Sequence, residues 1–253
     1  MSWDPVQYGR YRDERSRPFF DLLARVPDRP YRRIADLGCG DAELTRALAE
    51  RWPGARVTGV DRSAEMLAAA RPLHGRLELV QGDLASWRPP EPLDLLVSNA
   101  ALQWVPDHAA VLPRLAGLVA PGGAIAVQVP GNHDSPSHVE LLRLAGEEPW
   151  RSRLEGRWRP HAVEPLAWYA ETLRGLGWDV DAWETTYLHF LAGPDPVLEW
   201  MKGTALRPVL SLLGPDGPRF LEALAPRFRA AYPAGSGGTY FPFRRLFFVA
   251  TRA

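Results

Sequence analysis

The amino-acid sequence predicts an α/β protein built on a seven-stranded, mostly parallel sheet with helices on both faces. Three observations support this prediction. Short apolar segments alternate with helical segments through the first 130 residues. These apolar segments lack strict polar alternation, as expected for strands that are buried on both faces. A further apolar segment near the end of the chain completes the sheet after a helix-rich stretch.

The first half contains five predicted strands, which are Arg33–Leu37, Arg56–Asp61, Leu77–Gln81, Leu93–Ser98 and Ala124–Val129. Helices are predicted at 18–26, 41–51, 63–70 and 107–119. Pro18 suits a first helical turn, where its missing N–H costs nothing. Ser63 and Asp107 are typical N-cap residues. Pro121-Gly122-Gly123 predicts a turn that leads into the fifth strand.

The alternation of strands and helices ends after Pro130. Residues 131–164 are polar and rich in proline and arginine, which predicts an irregular or helical insertion. A helix over 166–176, ended by Gly177, a strand over 178–190 and interrupted helices over 197–230 are predicted to follow. The final predicted strand is Arg245–Thr251.

Composition excludes several functional classes. The 30 basic and 30 acidic residues balance, which argues against a protein whose main ligand is a polyanion. One cysteine, Cys39, excludes a disulfide framework, and no cysteine and histidine cluster has metal-binding spacing. No apolar signal or membrane segment is evident, so we expect a cytoplasmic protein. The basic residues are 29 arginines and Lys202 alone; coding bias explains most of them, although arginine also binds carboxylates better than lysine does.

The sharpest local motif is Asp36-Leu37-Gly38-Cys39-Gly40, between a predicted strand and a helix. Glycines in such a turn let the backbone approach a ligand closely. A dinucleotide-binding turn requires a third glycine, and Glu43 stands at that place. Because an acidic side chain repels a pyrophosphate, the turn favours a ligand without phosphate groups.

Two aspartates follow at the ends of the next strands. Asp61 ends the second strand, where a carboxylate reaches ribose hydroxyls in nucleoside-binding sheets, and Asp83 follows the third. Either aspartate alone could be a loop or helix cap. The ordered set of a glycine turn and two acids at one sheet edge favours a nucleoside-type ligand.

This set, with Pro121-Gly122-Gly123 before the fifth strand, resembles the class I S-adenosylmethionine-dependent methyltransferases. The resemblance implies a Rossmann-like fold and S-adenosyl-L-methionine as cofactor, with S-adenosyl-L-homocysteine as product and no metal. The cofactor-binding residues it implies are Asp36, Gly38, Cys39, Gly40, Asp61, Arg62, Asp83, Leu84 and Asn99. Cys39 is expected to be a small packing residue rather than a nucleophile.

A similarity over nearly the whole chain points further, to the trans-aconitate 2-methyltransferase family. It rests on Trp3-Asp4-Pro5, Glu14-Arg15-Ser16-Arg17-Pro18, Leu102-Gln103-Trp104, Thr185-Thr186-Tyr187 with His189, Leu206-Arg207-Pro208 and Arg245-Leu246-Phe247. Residues 131–164 depart from that family in length and composition. The resemblance implies that a small carboxylic acid is converted to its methyl ester.

On this resemblance we expect a single domain, 1–253, with a helical cap formed by 1–30, 131–164 and 191–240. The expected substrate-binding residues are Tyr8, Tyr11, Arg15, Gln103, Trp104, Tyr187, His189, Arg207 and Arg245, with Arg17 as an alternative to Arg15. Gln103 and Trp104 are expected to position the substrate, and no residue is assigned as a general base. We expect a monomer or weak homodimer that engages neither nucleic acid nor a membrane.

Three alternatives stay open at this point. The first is a methyltransferase that acts on a hydroxyl, amine or carbon of another small metabolite, which would share the same cofactor motifs. The second is a nucleoside-binding dehydrogenase, which Glu43 disfavours. The third is a non-catalytic regulator that binds S-adenosylmethionine, which a methyl-transfer assay would distinguish.

Overall fold

The computed structural model describes residues 12–70, 76–158 and 163–252, with side chains from residue 16 onward. The strands are β1 (Arg33–Leu37), β2 (Arg56–Asp61), β3 (Leu77–Gln81), β4 (Leu93–Asn99), β5 (Val119–Pro130), β6 (Trp178–Leu191) and β7 (Thr239–Arg252). The helices are α1 (Arg12–Ala24), α2 (Glu43–Arg51), α3 (Ala64–Ala70), α4 (His108–Ala116), α5 (Pro136–Ala145), α6 (Arg151–Leu154), α7 (Leu166–Gly175), α8 (Pro196–Lys202), α9 (Leu206–Leu213) and α10 (Gly217–Ala231). Short 3₁₀ turns lie at Leu102–Trp104 and Gly214–Asp216.

The seven strands form one sheet in the order β3-β2-β1-β4-β5-β7-β6, which confirms the predicted fold class. Strands β1 to β5 are mutually parallel, and β7 pairs antiparallel with both β5 and β6. The chain order reverses direction across the sheet between β1 and β4, where open α/β sheets place their ligands.

Apolar cores lie on both faces of the sheet. Helices α1 and α2 cover one face, where Phe19, Leu22 and Leu48 pack with strand residues such as Val97 and Phe247. Helices α4 and α7 cover the other face, where Leu112 and Tyr169 are fully buried. Burial on both faces explains why the strands are apolar throughout.

The first helix begins earlier than its proline suggests. Pro18 lies inside α1, which already includes Arg12, so the prediction of a first-turn proline was wrong. Phe19 and Leu22 are nonetheless fully buried, as their helical spacing predicts. Tertiary packing of this apolar face therefore outweighs the hydrogen bond that an internal proline removes.

Strands β5 and β7 are longer than predicted. β5 begins at Val119, and the register shift between Leu93 and Leu95 of β4 accommodates Pro121 and Gly122 within the strand. β7 begins at Thr239, so Arg245 lies in the middle of this strand rather than at its start. Aromatic and polar residues preceding Arg245 concealed the first part of the strand from the sequence pattern.

The longer β7 creates a two-stranded extension beyond the sheet, formed by residues 186–191 of β6 and 239–244 of β7. Arg245 pairs with Pro130 at the end of β5, so the extension starts where the parallel strands stop. At about 3.3 Å per residue, it projects roughly 20 Å past that edge. Helices α5, α6, α8, α9 and α10 pack around its inner face in a separate core that contains Trp200, Phe220 and Phe241.

Among the residues that the structure describes, no helix is long and apolar enough to cross a membrane.

The glycine turn after β1 is held by main-chain contacts. The N–H groups of Gly38 and Cys39 donate to the Val60 carbonyl oxygen, at 2.7 and 3.1 Å. Gly38 has a positive φ of +83°, and a Cβ added there would lie 2.1 Å from the Cβ of Ala101. A side chain at this position therefore clashes with the segment that follows β4 and also strains the backbone.

We expect Gly38→Ala to lower the free energy of unfolding by roughly 2–4 kcal/mol, the sum of an unfavourable backbone conformation and overpacking. Urea denaturation measures this change. Gly54→Ala is the matched control, because a Cβ there meets nothing within 4 Å. Equal stability of the two variants would contradict the proposed constraint at Gly38.

Candidate functional site

The candidate site lies at the edge of the sheet where the parallel strands end. Strand pairing aligns Asp36 of β1 with Gly59 of β2 and with Val97 of β4. It also aligns Asn99, the last residue of β4, with Gln128 of β5. The acidic and amide side chains that close these strands therefore share one edge.

Asp61 fastens the glycine turn to this edge. Its Oδ2 accepts a hydrogen bond from the N–H of Gly40 at 2.9 Å, and its Oδ1 accepts one from the N–H of Ser63 at 2.8 Å. Each carboxylate oxygen has a second lone pair. Asp61 can therefore hold the turn and still accept hydrogen bonds from a ligand.

Asp36 is 4% exposed and accepts a hydrogen bond from the hydroxyl of Thr45 at 2.6 Å. Burial raises the pKa of Asp36 to about 6; the Thr45 hydrogen bond lowers it and the nearby Asp61 charge raises it. A buried carboxylate of this kind is stabilised when a cation lies beside it.

The other residues expected at the cofactor lie at the same edge but differ in exposure. The Cys39 side chain is buried against Ala42 and Leu67, and burial raises the pKa of its thiol, as expected for a packing residue. The Leu84 side chain is buried in the core. Arg62 and Asp83 are exposed, and Asp83 Oδ1 accepts a hydrogen bond from the N–H of Ala85 at 2.7 Å.

The segment after β4 presents unused acceptors. Asn99 Oδ1 is buried and accepts no hydrogen bond from any residue in the described ranges. Gln103 Nε2 donates to the Ala100 carbonyl oxygen at 2.6 Å, whereas its Oε1 is buried without a partner in the same described ranges. Ala100 itself has a φ of +52°, an unusual conformation for a residue with a side chain. The backbone after β4 is therefore held in a left-handed conformation at Ala100, beside the edge where a ligand would be bound.

The buried side chain of His108 holds the segment that follows β4 in place, a role that the sequence did not predict. Its Nε2 lies 2.9 Å from the Leu102 carbonyl oxygen, which can only accept, so Nε2 carries the proton. Its Nδ1 then accepts from the Tyr169 hydroxyl at 2.6 Å, and that hydroxyl oxygen accepts from the N–H of Glu164. The ring is 5% exposed, so His108 positions the segment rather than contacting a ligand.

A second set of predicted residues lies where β6 and β7 leave the sheet. Tyr187, His189 and Arg245 are all buried on the inner face of this strand pair. The guanidinium of Arg245 lies 4.5 Å from the Phe243 ring centroid, and that of Arg17, from α1, lies 5.2 Å from the Tyr187 ring centroid. Two cations from different elements therefore converge on this face.

The side chains of His189 and Tyr187 on this face are both uncharged at neutral pH. Burial, and then the charges of Arg245 and Arg17, lower the pKa of His189 to about 4. Burial, and then the hydrogen bond to Asp21, raise the pKa of Tyr187. Tyr187 donates this hydrogen bond to Asp21 Oδ2 at 2.6 Å, and Arg17 Nε lies 3.9 Å from the same oxygen. The face therefore offers a neutral imidazole, a phenol and two arginines, of which Arg17 is paired with Asp21.

The remaining residues predicted to bind the substrate lie in other elements of the fold or outside the described residues. Trp104 is half-buried in the 3₁₀ turn beside Gln103. Arg207 is the second residue of α9, within the helices around the strand extension. Tyr8, Tyr11 and the side chain of Arg15 lie outside the described residues.

The sequence analysis did not identify Gln128 or Asp21 as site residues. Of these two, only Gln128 offered a signal, as the lone polar residue in the apolar segment 124–129.

The donors and acceptors at the turn suit one type of ligand. The segment Asp36 to Glu43 contains no basic residue, and the acceptors nearby are Asp36, Asp61 and Asn99 Oδ1. Carboxylates and an amide oxygen suit a ligand that carries a positive charge, an ammonium group and ribose hydroxyls. This sheet and turn define a class I S-adenosylmethionine-dependent methyltransferase.

Comparison with known proteins identifies the family. A methyltransferase-domain family model matches residues 34–123. The chain is 53% identical to trans-aconitate 2-methyltransferase of Streptomyces avermitilis, over 98% of this chain and 96% of that protein. It is 46% identical to the protein of the same name from Mycobacterium tuberculosis, over 98% of this chain and 96% of that one. The chain belongs to the trans-aconitate 2-methyltransferase family, and S-adenosyl-L-methionine is its cofactor.

Solved structures confirm the fold. A methyltransferase-like protein from Bacillus halodurans superposes with a TM-score of 0.59 at 13% identity, covering 92% of this chain and 98% of that chain. A [4+2]-cyclase gives the same TM-score at 15% identity, covering 99% of this chain and 86% of that chain. Since a cyclase shares it, the architecture alone does not determine the reaction.

We predict that cofactor affinity rises with pH through about 6, because Asp36 ionises there and its carboxylate attracts a cation. If only the ionised form binds, affinity at pH 5 should be about tenfold lower than at pH 7. Calorimetric titration with S-adenosylmethionine at several pH values measures this. Thr45→Val, which removes the hydrogen bond that lowers the pKa, should move the transition to higher pH. The same profile in Asp36→Asn would contradict the assignment to Asp36.

Proposed function

We propose that this protein transfers the cofactor's methyl group to a carboxylate of trans-aconitate, or of a closely similar small polycarboxylic acid, and forms the monomethyl ester. The observation that carries the proposal is the convergence of Arg17 and Arg245 on the inner face of β6 and β7. A polycarboxylate needs cations for the groups that do not react, and arginine forks supply both charge and orientation. The name of the close relatives supports the same substrate.

Methylation of a carboxylate requires little acid or base catalysis from the protein. A carboxylic acid with a reference pKa near 4 is already ionised at pH 7, so no proton has to be removed. When bound, the cofactor supplies an electrophilic methyl group on a sulfonium: one carboxylate oxygen forms the new C–O bond as the C–S bond breaks and its electron pair stays on sulfur. His189, with its pKa lowered to about 4, is a weak base, and Tyr187 stays protonated, which is consistent with a site that has no general base.

The protein's contribution is therefore alignment and exclusion of water. Such positioning supplies roughly 7–11 kcal/mol in favourable cases. Asp36, Asp61 and Asn99 would hold the cofactor, and Gln103 with Trp104 would border the reacting groups. The helices around the strand extension would form a cap that closes over the acid, together with parts of 1–30 and 131–164.

We further propose that the chain acts in the cytoplasm as a monomer or weak homodimer, without nucleic acid or membrane. The balance of 30 basic and 30 acidic residues supports the absence of nucleic-acid and membrane binding, because a protein without net charge is not drawn to either anionic surface by its overall charge.

A labelled-methyl screen tests the proposed reaction. The panel contains trans-aconitate, cis-aconitate, citrate, isocitrate, a monocarboxylate and a small phenol. We expect trans-aconitate to be methylated with the highest kcat/KM, because the double bond holds its carboxylates in one extended arrangement toward the cations of Arg245 and Arg17. Preferential labelling of the phenol would favour a hydroxyl methyltransferase, and no labelling of any compound would favour a cofactor-binding regulator.

Arg207→Ala should raise the KM for trans-aconitate roughly 10- to 100-fold, the loss expected for one charge-assisted hydrogen bond, with little change in the KM for the cofactor. Steady-state kinetics with each substrate varied in turn separate these effects. Arg143→Ala is the control, since Arg143 is an exposed residue that pairs with Glu140. Equal changes in both KM values would argue against Arg207 as a carboxylate clamp.

A further inference from the structure

We propose that Gln128 of β5 is a substrate-binding residue, and that its carboxamide N–H and the Arg245 guanidinium together bind one carboxylate of the acid substrate. The inference rests on the proposed function and adds a residue to which neither the sequence motifs nor the family's name points.

Gln128 is an unusual residue for its position. It lies in the part of β5 from Ala124 to Val129, which is otherwise apolar, and its side chain is 0% exposed. Its Nε2 is buried and donates no hydrogen bond to any residue in the described part of the chain. A buried donor without an acceptor is unfavourable in the free protein, so a ligand that supplies the acceptor gains from this interaction.

The direction of the amide is set by Arg245. Gln128 Oε1 accepts a hydrogen bond from Arg245 Nη1 at 3.4 Å. A guanidinium can only donate, so the amide oxygen must face Arg245 and Nε2 must point elsewhere. The flipped amide would place two donors against each other. The arginine and the amide nitrogen are therefore neighbouring donors, a combination that suits the two oxygens of a carboxylate.

Strand pairing places this pair of donors at the candidate site. Gln128 is in register with Asn99 on β4 and with Phe247 on β7. Arg245 precedes Phe247 by two residues and therefore lies on the same face of β7. The Gln128 carbonyl oxygen accepts the N–H of Ala100 at 2.9 Å, so Gln128 is also joined to the segment that borders the reacting groups.

A purely structural role is the competing explanation, in which Gln128 only holds Arg245 in place. Gln128→Glu separates the two roles. Glutamate keeps an acceptor for Arg245, with a stronger, charged interaction, but it has no N–H for a substrate carboxylate and it repels one. The structural explanation predicts that Gln128→Leu, which removes the acceptor that holds Arg245, weakens substrate binding more than Gln128→Glu does, and the binding explanation predicts the reverse order.

The test is calorimetric titration of trans-aconitate into the protein saturated with S-adenosylhomocysteine, which excludes turnover. We expect the Kd to rise at least roughly 30-fold in Gln128→Glu and about tenfold in Gln128→Leu, whose apolar side chain removes the donor without adding charge. The affinity for S-adenosylhomocysteine should stay within about twofold in both variants, because Asp36 and Asp61 are unchanged.

Asn132→Asp is the matched control. Asn132 is a second buried amide, 4% exposed, whose Nδ2 has no hydrogen-bond partner among the described residues and whose Oδ1 accepts the N–H of Arg244 at 2.7 Å. Arg244 faces Asp134 and Glu184, on the opposite side of β7 from Arg245. This variant should leave the Kd for trans-aconitate within about twofold.

Each outcome decides the proposal. Unchanged affinity in folded Gln128→Glu overturns it, as does failure of both Gln128 variants to fold, which would make Gln128 a structural residue. Wild-type protein that binds S-adenosylhomocysteine but neither binds nor methylates trans-aconitate overturns the proposed substrate as well, and the wild-type measurement alone reveals that case.

Discussion

The insertion of β7 between β5 and β6 is the constraint on which the rest of the structure depends. Because β7 runs antiparallel to both neighbours, its residues preceding Arg245 pass the edge where β5 ends and continue the strand pairing with β6. This two-stranded extension gives the helices between β6 and β7 an apolar face to cover, with Phe241 and Phe243 packed in their core. The same register sets Arg245 beside Gln128, so one strand determines both the cap and the cationic side of the site.

Charge is divided across the site in a way that suits both of its ligands. Asp36 and Asp61 lie at the ends of β1 and β2, whereas Arg245 and Arg17 lie by β7 and α1. In the proposed function, a cationic cofactor is attracted to the first side and an anionic acid to the second. The chain therefore needs no net charge to bind an acid.

The alternation of apolar segments was enough to predict the sheet, because strands covered on both faces need continuous apolar residues. The bounds of β7 were not predictable in the same way. Thr239 to Arg244 reads as a mixed polar and aromatic segment, since only one face of the extension is buried. Pro18 misled the prediction for α1 because the burial of Phe19 and Leu22 outweighs the local cost of an internal proline.

The sequence by itself predicted the proposed cofactor side of the site, since Asp36, the glycine turn and Asp61 follow strands in fixed order and parallel strands end at one edge. On the proposed acid side, Arg17 and Arg245 were expected only from resemblance to the family, and the tertiary structure alone brings them together and adds Gln128. Arg17, Gln128 and Arg245 are distant in sequence, and no local pattern distinguishes an arginine at a site from one on the surface. For Gln128 and Arg245 the proposed roles arise from register and burial: pairing of β5 with β7 sets the arginine against the amide in a place that water does not reach, where each polar group requires a partner.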